Sequence, residues 1–300
     1  MGNFKAWLSA FRLRTLPLAI AGILLGSFLA LAQDKHNWII SLMAILTATL
    51  LQVLSNLAND YGDFTKGTDN ENRVGPERAM QSGAINKKQM KNALILFSAL
   101  SLLSGVVLLW VSFGTEKLLY ALLFLFIGLS AIWAAIKYTV GDSAYGYQGL
   151  GDVFVFLFFG LVSVVGVYFL NVQSIDLKIL LPASALGLLS TGVLNLNNTR
   201  DIENDKASNK NTLAVKLGYQ KAKFYQLVLF LFALICTETY LLVNMNGVLA
   251  HLYLLSFIPL TIVIIKVLKT EIPKDLDPLL KVQAISTLLF AVTFGLGQIL

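Results

Sequence analysis

Cysteine and histidine are almost absent from this 300-residue sequence, and their scarcity excludes several kinds of site. Cys236 is the single cysteine, so an internal disulfide is impossible. His36 and His251 fall at outer or membrane positions without a set of metal-ligand companions, and neither supports a nucleophilic triad. Glycine-rich phosphate loops of the P-loop or dinucleotide-binding type are also missing. The sequence therefore offers no disulfide framework, no Cys/His metal site and no nucleotide-binding loop.

Charge is scarce as well, since only 13% of residues are charged while 56% are hydrophobic and the mean hydropathy is +0.72. Apolar runs of about twenty residues are long enough to cross a bilayer as helices. Nine such runs are present, at about 15–33, 38–58, 90–113, 117–136, 151–171, 178–198, 223–244, 247–268 and 282–300. The sequence therefore predicts an all-α integral membrane protein, with residues 1–300 forming a single domain of nine transmembrane helices.

Basic residues are distributed unequally between the two sets of connections. The N-terminus and connections 2/3, 4/5, 6/7 and 8/9 hold 20 of the 23 Lys and Arg residues. Because positive loops remain in the cytoplasm, we expect a multi-pass protein of the inner membrane with its N-terminus cytoplasmic and its C-terminus outside. The net charge of +6 is then concentrated on the cytoplasmic face of the protein. No nucleic-acid partner is expected.

Two stretches rich in Asp and Asn stand where long apolar runs meet basic loops. In the first, residues at i, i+3, i+4 and i+7 share one face of a helix: Asn56, Asn59, Asp60 and Asp63. In the second, residues at i, i+4 and i+8 do the same, with one asparagine beside them: Asn197, Asp201, Asp205 and Asn198. Carboxylates beside hydrocarbon are costly and usually functional. We expect the two stripes to face each other.

Facing carboxylates repel each other unless a cation lies between them. Oxygen ligands without Cys or His suit Mg²⁺, which also takes phosphate oxygens from its substrate. Basic residues of the adjoining loops could neutralise a diphosphate: Lys66, Arg73, Arg78, Arg200 and Lys210. The pattern therefore predicts an active site for a phosphorylated substrate at the cytoplasmic helix ends.

Other interpretations of the same residues remain open. Asp and Asn at helix ends often serve only as caps, and loop lysines often only determine topology. A membrane transporter is an alternative from another class, although transporters usually place their polar site near the bilayer midplane.

Longer motifs resemble a known family. Asn59-Asp60-Tyr61-Gly62-Asp63 with Asp69, and Arg200-Asp201-Ile202-Glu203-Asn204-Asp205 with Lys210, resemble the two aspartate-rich motifs of UbiA-type intramembrane prenyltransferases. Further strings resemble the branch of that family that uses 1,4-dihydroxy-2-naphthoate: Arg14-Thr15-Leu16-Pro17, Gly75-Pro76-Glu77-Arg78 and Tyr145-Gly146-Tyr147-Gln148-Gly149.

The resemblance implies a nine-helix bundle with a central cavity open to the cytoplasm. It implies transfer of a polyprenyl group from polyprenyl diphosphate to 1,4-dihydroxy-2-naphthoate, with decarboxylation, to give demethylmenaquinone. By the family pattern Asp60 and Asp63 would hold one Mg²⁺ and Asp201 and Asp205 another, with Asp69 as a further ligand. The asparagines would support the diphosphate. An acceptor of the 4-hydroxybenzoate type is the alternative within the family.

Loop 4/5 supplies candidates for the reacting end of the donor. An allylic carbocation could be stabilised by aromatic faces, and we expect Tyr138, Tyr145 and Tyr147 to provide them. Lys137, beside them, could reach the diphosphate. The alternative is that these rings anchor a helix end at the membrane interface.

Overall fold

Long helices dominate the computed structural model, which describes residues 2–69, 74, 77–245 and 247–300. Within that part of the chain nine helices are long and apolar enough to span a membrane, as the sequence predicts. They are α1 (Phe4–Leu31), α2 (Trp38–Thr65), α3 (Lys87–Phe113), α4 (Leu118–Lys137), α5 (Gly151–Val172), α6 (Leu177–Arg200), α7 (Tyr219–Asn244), α8 (Val248–Lys269) and α9 (Pro273–Ile299). Two short helices, Ile202–Ala207 and Leu213–Leu217, follow α6.

Several helices extend beyond their predicted limits at one end of the bundle. The apolar run of α2 ends near residue 58, yet the helix continues to Thr65, and α9 begins at Pro273 rather than at 282. Helical hydrogen bonds join backbone groups and do not require apolar side chains. The added turns carry polar residues, among them Asp60 and Asp63 in α2 and Asp277 in α9. We call this end, where α2 and α6 terminate, the polar end, and the opposite end the far end.

Helix α1 is broken near the polar end. Its first α-helical segment, which begins at Gly2 ahead of the apolar span, ends at Phe11 and is followed by a 3₁₀ turn, Leu13–Thr15, and a second α-helix, Leu16–Leu31. Arg12 adopts a left-handed backbone conformation with φ of 48°. Pro17 lies at the start of the second helix, where its missing N–H has no intrahelical role. The break turns the arginine-bearing segment toward the end of α2.

The bundle is packed on one side and open on the other. Helix α1 packs against α2, α5 and α9, and α6 packs against α7. Aromatic residues of α5, α8 and α9 fill the main core, which includes Tyr168, Tyr253, Phe290 and Phe294. Helix α4 packs mainly on α2 and α3, and a cavity lies between it and α5, although aromatic rings of the two helices meet at the far end. Its apolar side chains remain largely exposed, as contact with lipid requires.

Candidate functional site

The two acidic segments meet at the polar end of the bundle. The ammonium of Lys210 lies 3.7 Å from Asp63 Oδ2 in α2 and 3.7 Å from Asp205 Oδ1 after α6. Close by, the side-chain amide of Asn204 donates to the carbonyl of Thr68 at 3.1 Å. The contacts of Lys210 with Asp63 and of Asn204 with Thr68 join residues more than 130 positions apart in the sequence. The structure therefore brings together the two stretches that the sequence analysis places on facing helices.

Asp60 is surrounded by arginines. Its carboxylate is 1% exposed and accepts a hydrogen bond from Arg78 Nη1 at 2.7 Å. Arg12, at the break in α1, donates to the same oxygen. The Nε of Arg78 also lies 3.7 Å from Asp69 Oδ1, so Asp69 belongs to this cluster. Sequence reasoning missed Arg12, because a basic residue ahead of the first span is ordinarily a topology determinant.

The guanidinium of Arg200 forms hydrogen bonds to residues at the end of α6 and the start of α9. It donates to Asp201 through Nε at 2.8 Å and through Nη2 at 2.5 Å. It also donates to Asp277, the first residue of the α-helical part of α9, and to Asn197 Oδ1 at 3.0 Å. Asp277 was not predicted, since nothing in the sequence reveals that α9 starts beside the end of α6. The predicted diphosphate contact of Arg200 would require these ion pairs to rearrange.

The second acidic stripe is less regular than predicted. Helix α6 ends at Arg200, and Asp201 has a non-helical ψ of 9° before the next helix begins at Ile202. The expected continuous helical face over 197–205 is therefore interrupted at Asp201. The N–H of Asp205 still donates to the carbonyl of Asp201 at 2.9 Å, which keeps Asp205 one turn beyond the break. Both aspartates line the same cavity.

Burial and charge shift the pKa values of this cluster. Burial raises the pKa of Asp205 to about 6, and the nearby carboxylates of Asp201 and Asp63 act in the same direction, against Lys210. Burial on its own would lower the pKa of Lys210, but Asp63 and Asp205 raise it overall. Lys210 therefore stays protonated and holds two carboxylates together in a poorly solvated site.

The three predicted tyrosines lie in different positions. Tyr138 and Tyr145 line the cavity, and their rings meet edge to face with centroids 5.4 Å apart. Tyr145 also stacks on Phe154 at 3.9 Å and donates its hydroxyl hydrogen to the carbonyl of Ala134. Tyr147 lies behind Asp63, to which its hydroxyl donates at 2.8 Å. Tyr147 therefore positions a carboxylate and does not face the cavity.

Lys66 and Lys137, two of the lysines predicted for the diphosphate, do not line the cavity. Lys66 places its ammonium 3.8 Å from the centroid of the Tyr147 ring, and burial lowers its pKa. Lys137 ends α4 with its ammonium beside Gly141 in the following loop. A role of either lysine at the diphosphate would need a change of rotamer. Arg73, the remaining basic residue predicted for the diphosphate, lies outside the described residues.

The four asparagines of the motifs all line the cavity. Asn56 donates through Nδ2 to the carbonyl of Phe11 and to Thr15 Oγ1, both at 2.9 Å, and so holds the break in α1 against α2. Asn59 accepts a hydrogen bond from Thr139 at 3.4 Å. Asn197 accepts from Arg200, and Asn198 is 3% exposed. Asn56 thus has a structural contact that positions Arg12.

The cavity below these residues has a volume of about 1550 Å³, which exceeds the common range for small-ligand pockets. Its polar end is lined by charged residues including Arg12, Asp63, Asp205 and Lys210. Toward the far end its walls are mostly aliphatic and aromatic side chains of α1 to α5. Such a cavity suits a molecule with an anionic head and a long apolar tail.

The carboxylates suit a Mg²⁺ ion whose remaining ligands come from water and substrate. Among the residues described, no three Asp, Glu, His or Cys side chains converge on one point, so the protein does not offer a closed metal cage. Mg²⁺ usually keeps several waters and binds one or two carboxylates plus substrate phosphate oxygens. The buried oxygens of Asp60, Asp63, Asp201 and Asp205 match that donor set.

The chain is similar to known proteins over nearly its whole length. Residues 19–288 match the model of the UbiA prenyltransferase family. The chain is 43% identical to the 1,4-dihydroxy-2-naphthoate octaprenyltransferase of Haemophilus influenzae over 99% of this chain and 97% of that protein. It is also 43% identical to the Escherichia coli protein of the same name, over 98% and 94% of the two chains.

A solved structure has the same fold. It is a UbiA homolog from Archaeoglobus fulgidus bound to DMAPP and Mg²⁺, with a TM-score of 0.60 and 16% identity. The alignment covers 98% of this chain and 99% of that one.

Proposed function

The chain belongs to the UbiA prenyltransferase family, and from this premise we propose that it transfers a polyprenyl group from polyprenyl diphosphate to 1,4-dihydroxy-2-naphthoate. The immediate product is the reduced form of demethylmenaquinone, because the transfer leaves the ring at its dihydroxy oxidation level. Relatives that are 43% identical over nearly the whole chain carry this activity in their names, which favours this acceptor over 4-hydroxybenzoate. The reaction needs a site for a diphosphate beside a compartment for an isoprenoid tail.

One observation carries the proposal. Lys210 links Asp63 to Asp205 at the polar end of a cavity whose remaining walls are mostly apolar. A transporter would place its polar groups near the midplane. Here the charged residues collect at one end, where a head group can arrive from water while its tail enters from the bilayer.

In this proposal the carboxylates bind Mg²⁺ and the basic residues stabilise the leaving diphosphate. Asp60, Asp63, Asp201 and Asp205 would hold Mg²⁺, with Asp69 beside Arg78 as a further candidate. When bound, the metal would neutralise charge that develops on the departing diphosphate. Arg12, Arg78 and Lys210 then add their positive charge to the same leaving group. Asn56, Asn59, Asn197 and Asn198 line the cavity within the same cluster.

The bond changes explain why the cavity must be dry. The allylic C–O bond of the donor breaks and both electrons leave with the diphosphate. The ring carbon that bears the carboxylate uses a ring electron pair to bond to the allylic carbon. The bond from that carbon to the carboxylate then breaks, its electron pair returns to the ring and restores aromaticity, and carbon dioxide leaves. An allylic cation reacts readily with water, so exclusion of water by the helices protects it. The rings of Tyr138 and Tyr145 offer π faces that stabilise positive charge.

We further propose that residues 1–300 act as one membrane domain in the cytoplasmic membrane, with the polar end facing the cytoplasm. The acceptor and the diphosphate are anionic and enter from water. Twenty of the 23 Lys and Arg residues lie on the side that this orientation makes cytoplasmic.

Purified protein in lipid nanodiscs tests the proposal. With polyprenyl diphosphate and Mg²⁺ we expect prenylation of 1,4-dihydroxy-2-naphthoate, little product from 4-hydroxybenzoate, and no product in EDTA. Asp60→Asn and Asp201→Asn should each lower turnover by about a hundredfold or more. Asp34→Asn, at an exposed turn of the far end, is the matched control and should retain activity. Full activity in EDTA, or preference for 4-hydroxybenzoate, would contradict the proposal.

A further inference from the structure

Aromatic rings surround the far end of the cavity. Tyr120 and Phe124 of α4 and Phe169 of α5 all line it. The ring of Phe169 stacks on Phe124 with centroids 5.6 Å apart and meets Tyr120 edge to face at 5.3 Å. Phe113, which is 5% exposed, packs behind Phe124 at 5.5 Å. We call Tyr120, Phe124 and Phe169 the far-end rings.

Hydrogen bonds hold the helix ends that carry these rings. Gln173, at the end of α5, has a left-handed backbone with φ of 57° and lines the cavity. Its side-chain amide donates to the carbonyl of Ser112 in α3 at 2.7 Å. The ammonium of Lys117, just before α4, donates to the Gln173 side-chain oxygen. The far ends of α3, α4 and α5 are therefore tied together around the rings.

The distance from the polar end to the rings is set by two helices. Tyr120 precedes Tyr138 by eighteen residues along α4, and Phe169 follows Gly151 by eighteen residues along α5. At a rise of 1.5 Å per residue each interval is about 27 Å. The far-end rings therefore lie nearly a full bilayer thickness from Lys210 and the carboxylates.

Between the two ends, three glycines widen the cavity. Gly105, Gly128 and Gly166 line it from three different helices. A Cβ on Gly128 would have no atom within 4 Å, and Cβ atoms on Gly105 and Gly166 would meet their nearest neighbours at 3.9 and 3.8 Å. Backbone packing does not explain these glycines. Their missing side chains leave continuous apolar space between the carboxylates and the rings.

We infer that the prenyl tail runs through this space and ends against Tyr120, Phe124 and Phe169, so that these rings select the length of the donor. The inference rests on the proposed function. Each isoprene unit that fits between the two ends buries apolar surface. The cavity lining continues past the rings to Ile175 and Leu180, which are exposed. A further isoprene unit must push between the packed rings to reach them, which weakens binding.

Donors of graded length test the inference. Reconstituted protein would be supplied with the acceptor, Mg²⁺ and all-trans diphosphates from geranyl to decaprenyl, and kcat/KM would be measured for each. We expect an optimum at one length in the parent protein. Gly128→Phe should lower the ratio of kcat/KM for octaprenyl over geranyl diphosphate by about tenfold or more, since its ring blocks the passage.

Opening the far end should have the opposite effect. Phe124→Ala combined with Phe169→Ala should raise the ratio for decaprenyl over octaprenyl diphosphate by about tenfold. Leu129→Phe adds the same ring beside Gly128 on α4, at a side chain that is 46% exposed to the lipid side. It serves as the matched control and should leave every ratio at the parent value.

The possible outcomes separate the two proposals. Length profiles that coincide for the parent, Gly128→Phe and the double variant would overturn the inference and indicate a tail that leaves sideways into the bilayer. Absence of product from every donor in the parent protein would instead overturn the proposed function. Turnover of geranyl diphosphate by each variant reports that it is folded.

Discussion

Lys210 is the residue on which the two halves of the site converge. Its side chain is buried and its ammonium lies at equal distance from Asp63 and Asp205. Removing one partner from a buried charge cluster leaves the remaining charges uncompensated, which costs much more than losing a surface ion pair. In the absence of other cations, Lys210 therefore neutralises the carboxylates that we assign to Mg²⁺.

Replacing this lysine tests that assignment. Lys210→Met should lower the free energy of unfolding in EDTA by roughly 3 kcal/mol, because two buried carboxylates lose their cation. Added Mg²⁺ should restore more thermal stability to this variant than to the parent. Thermal denaturation in detergent measures both effects. Lys206→Met, at an exposed position in the same segment, is the control. Equal stability of Lys210→Met and the parent in EDTA would contradict the ion-pair account.

Asp205 makes metal binding depend on pH. Its folded-state pKa of about 6 exceeds the ordinary value of 3.8 because the side chain is buried. The folded protein without metal therefore binds more protons than the unfolded chain between these values, and its stability falls as pH rises through that window.

A protonated carboxyl is a poor Mg²⁺ ligand, so the apparent affinity for Mg²⁺ should weaken as pH falls below about 6. The Mg²⁺-induced rise in Tm, measured at pH 5 and pH 7.5, checks this expectation. Asp205→Asn removes the titrating group and should remove much of the difference between the two pH values. An identical Mg²⁺ response of the parent at both pH values would refute it.

At the scale of helices, α5 and α6 approach each other unusually closely. A π-helical segment, Phe156–Val162, interrupts α5 and carries Gly160. A Cβ on Gly160 would lie 2.6 Å from the Cα of Gly187 and 2.7 Å from the carbonyl of Ala183. Both neighbouring atoms belong to the α6 backbone and cannot move independently of it. Gly160 therefore permits the contact that closes one wall of the cavity.

Two alanine substitutions distinguish packing glycines from cavity glycines. Gly160→Ala should destabilise the protein by about 1–3 kcal/mol through overpacking. Gly128→Ala meets open space and should be neutral or stabilise the helix by up to about 1 kcal/mol. Thermal denaturation of the two purified variants makes the comparison. Equal destabilisation by both would show that space around the glycine does not decide the effect.

At the scale of the whole molecule, charge and site share one end of the bundle. The carboxylates, Lys210, Arg12 and Arg78 cluster where α2 and α6 end. The connections on that side also contain nearly all of the basic residues. If all nine candidate helices of the described residues cross the membrane, the two termini lie on opposite sides of it.

Reporter fusions test the orientation. A fluorescent protein that matures only in the cytoplasm should be dark, and alkaline phosphatase active, when each is fused after Leu300. The same two reporters fused after Arg78 of a truncated chain should give the reverse result, since connection 2/3 would be cytoplasmic. A bright fluorescent fusion at Leu300 would place the C-terminus inside and invert the proposed topology.

Local spacing was sufficient to predict which polar residues share a buried helix face. The period of a helix placed Asn56, Asp60 and Asp63 on one buried face, and the structure has all three buried in α2. Local spacing was insufficient to predict contacts that depend on another helix. Arg12 reaches Asp60 because α1 breaks, and Asp277 reaches Arg200 because α9 begins beside α6. Likewise Tyr147 supports Asp63 from behind, although its sequence position resembles that of Tyr145.

The sequence by itself determined the membrane setting, the nine spans and the two acidic stretches, because hydropathy and helical period are properties of neighbouring residues. The family motifs likewise required only consecutive residues. Tertiary structure decided that Lys210 joins Asp63 to Asp205, that Asn56 holds the α1 break, and that a cavity extends to Tyr120, Phe124 and Phe169. These features arise from the packing of helices distant in sequence, and packing geometry is not encoded in any local pattern.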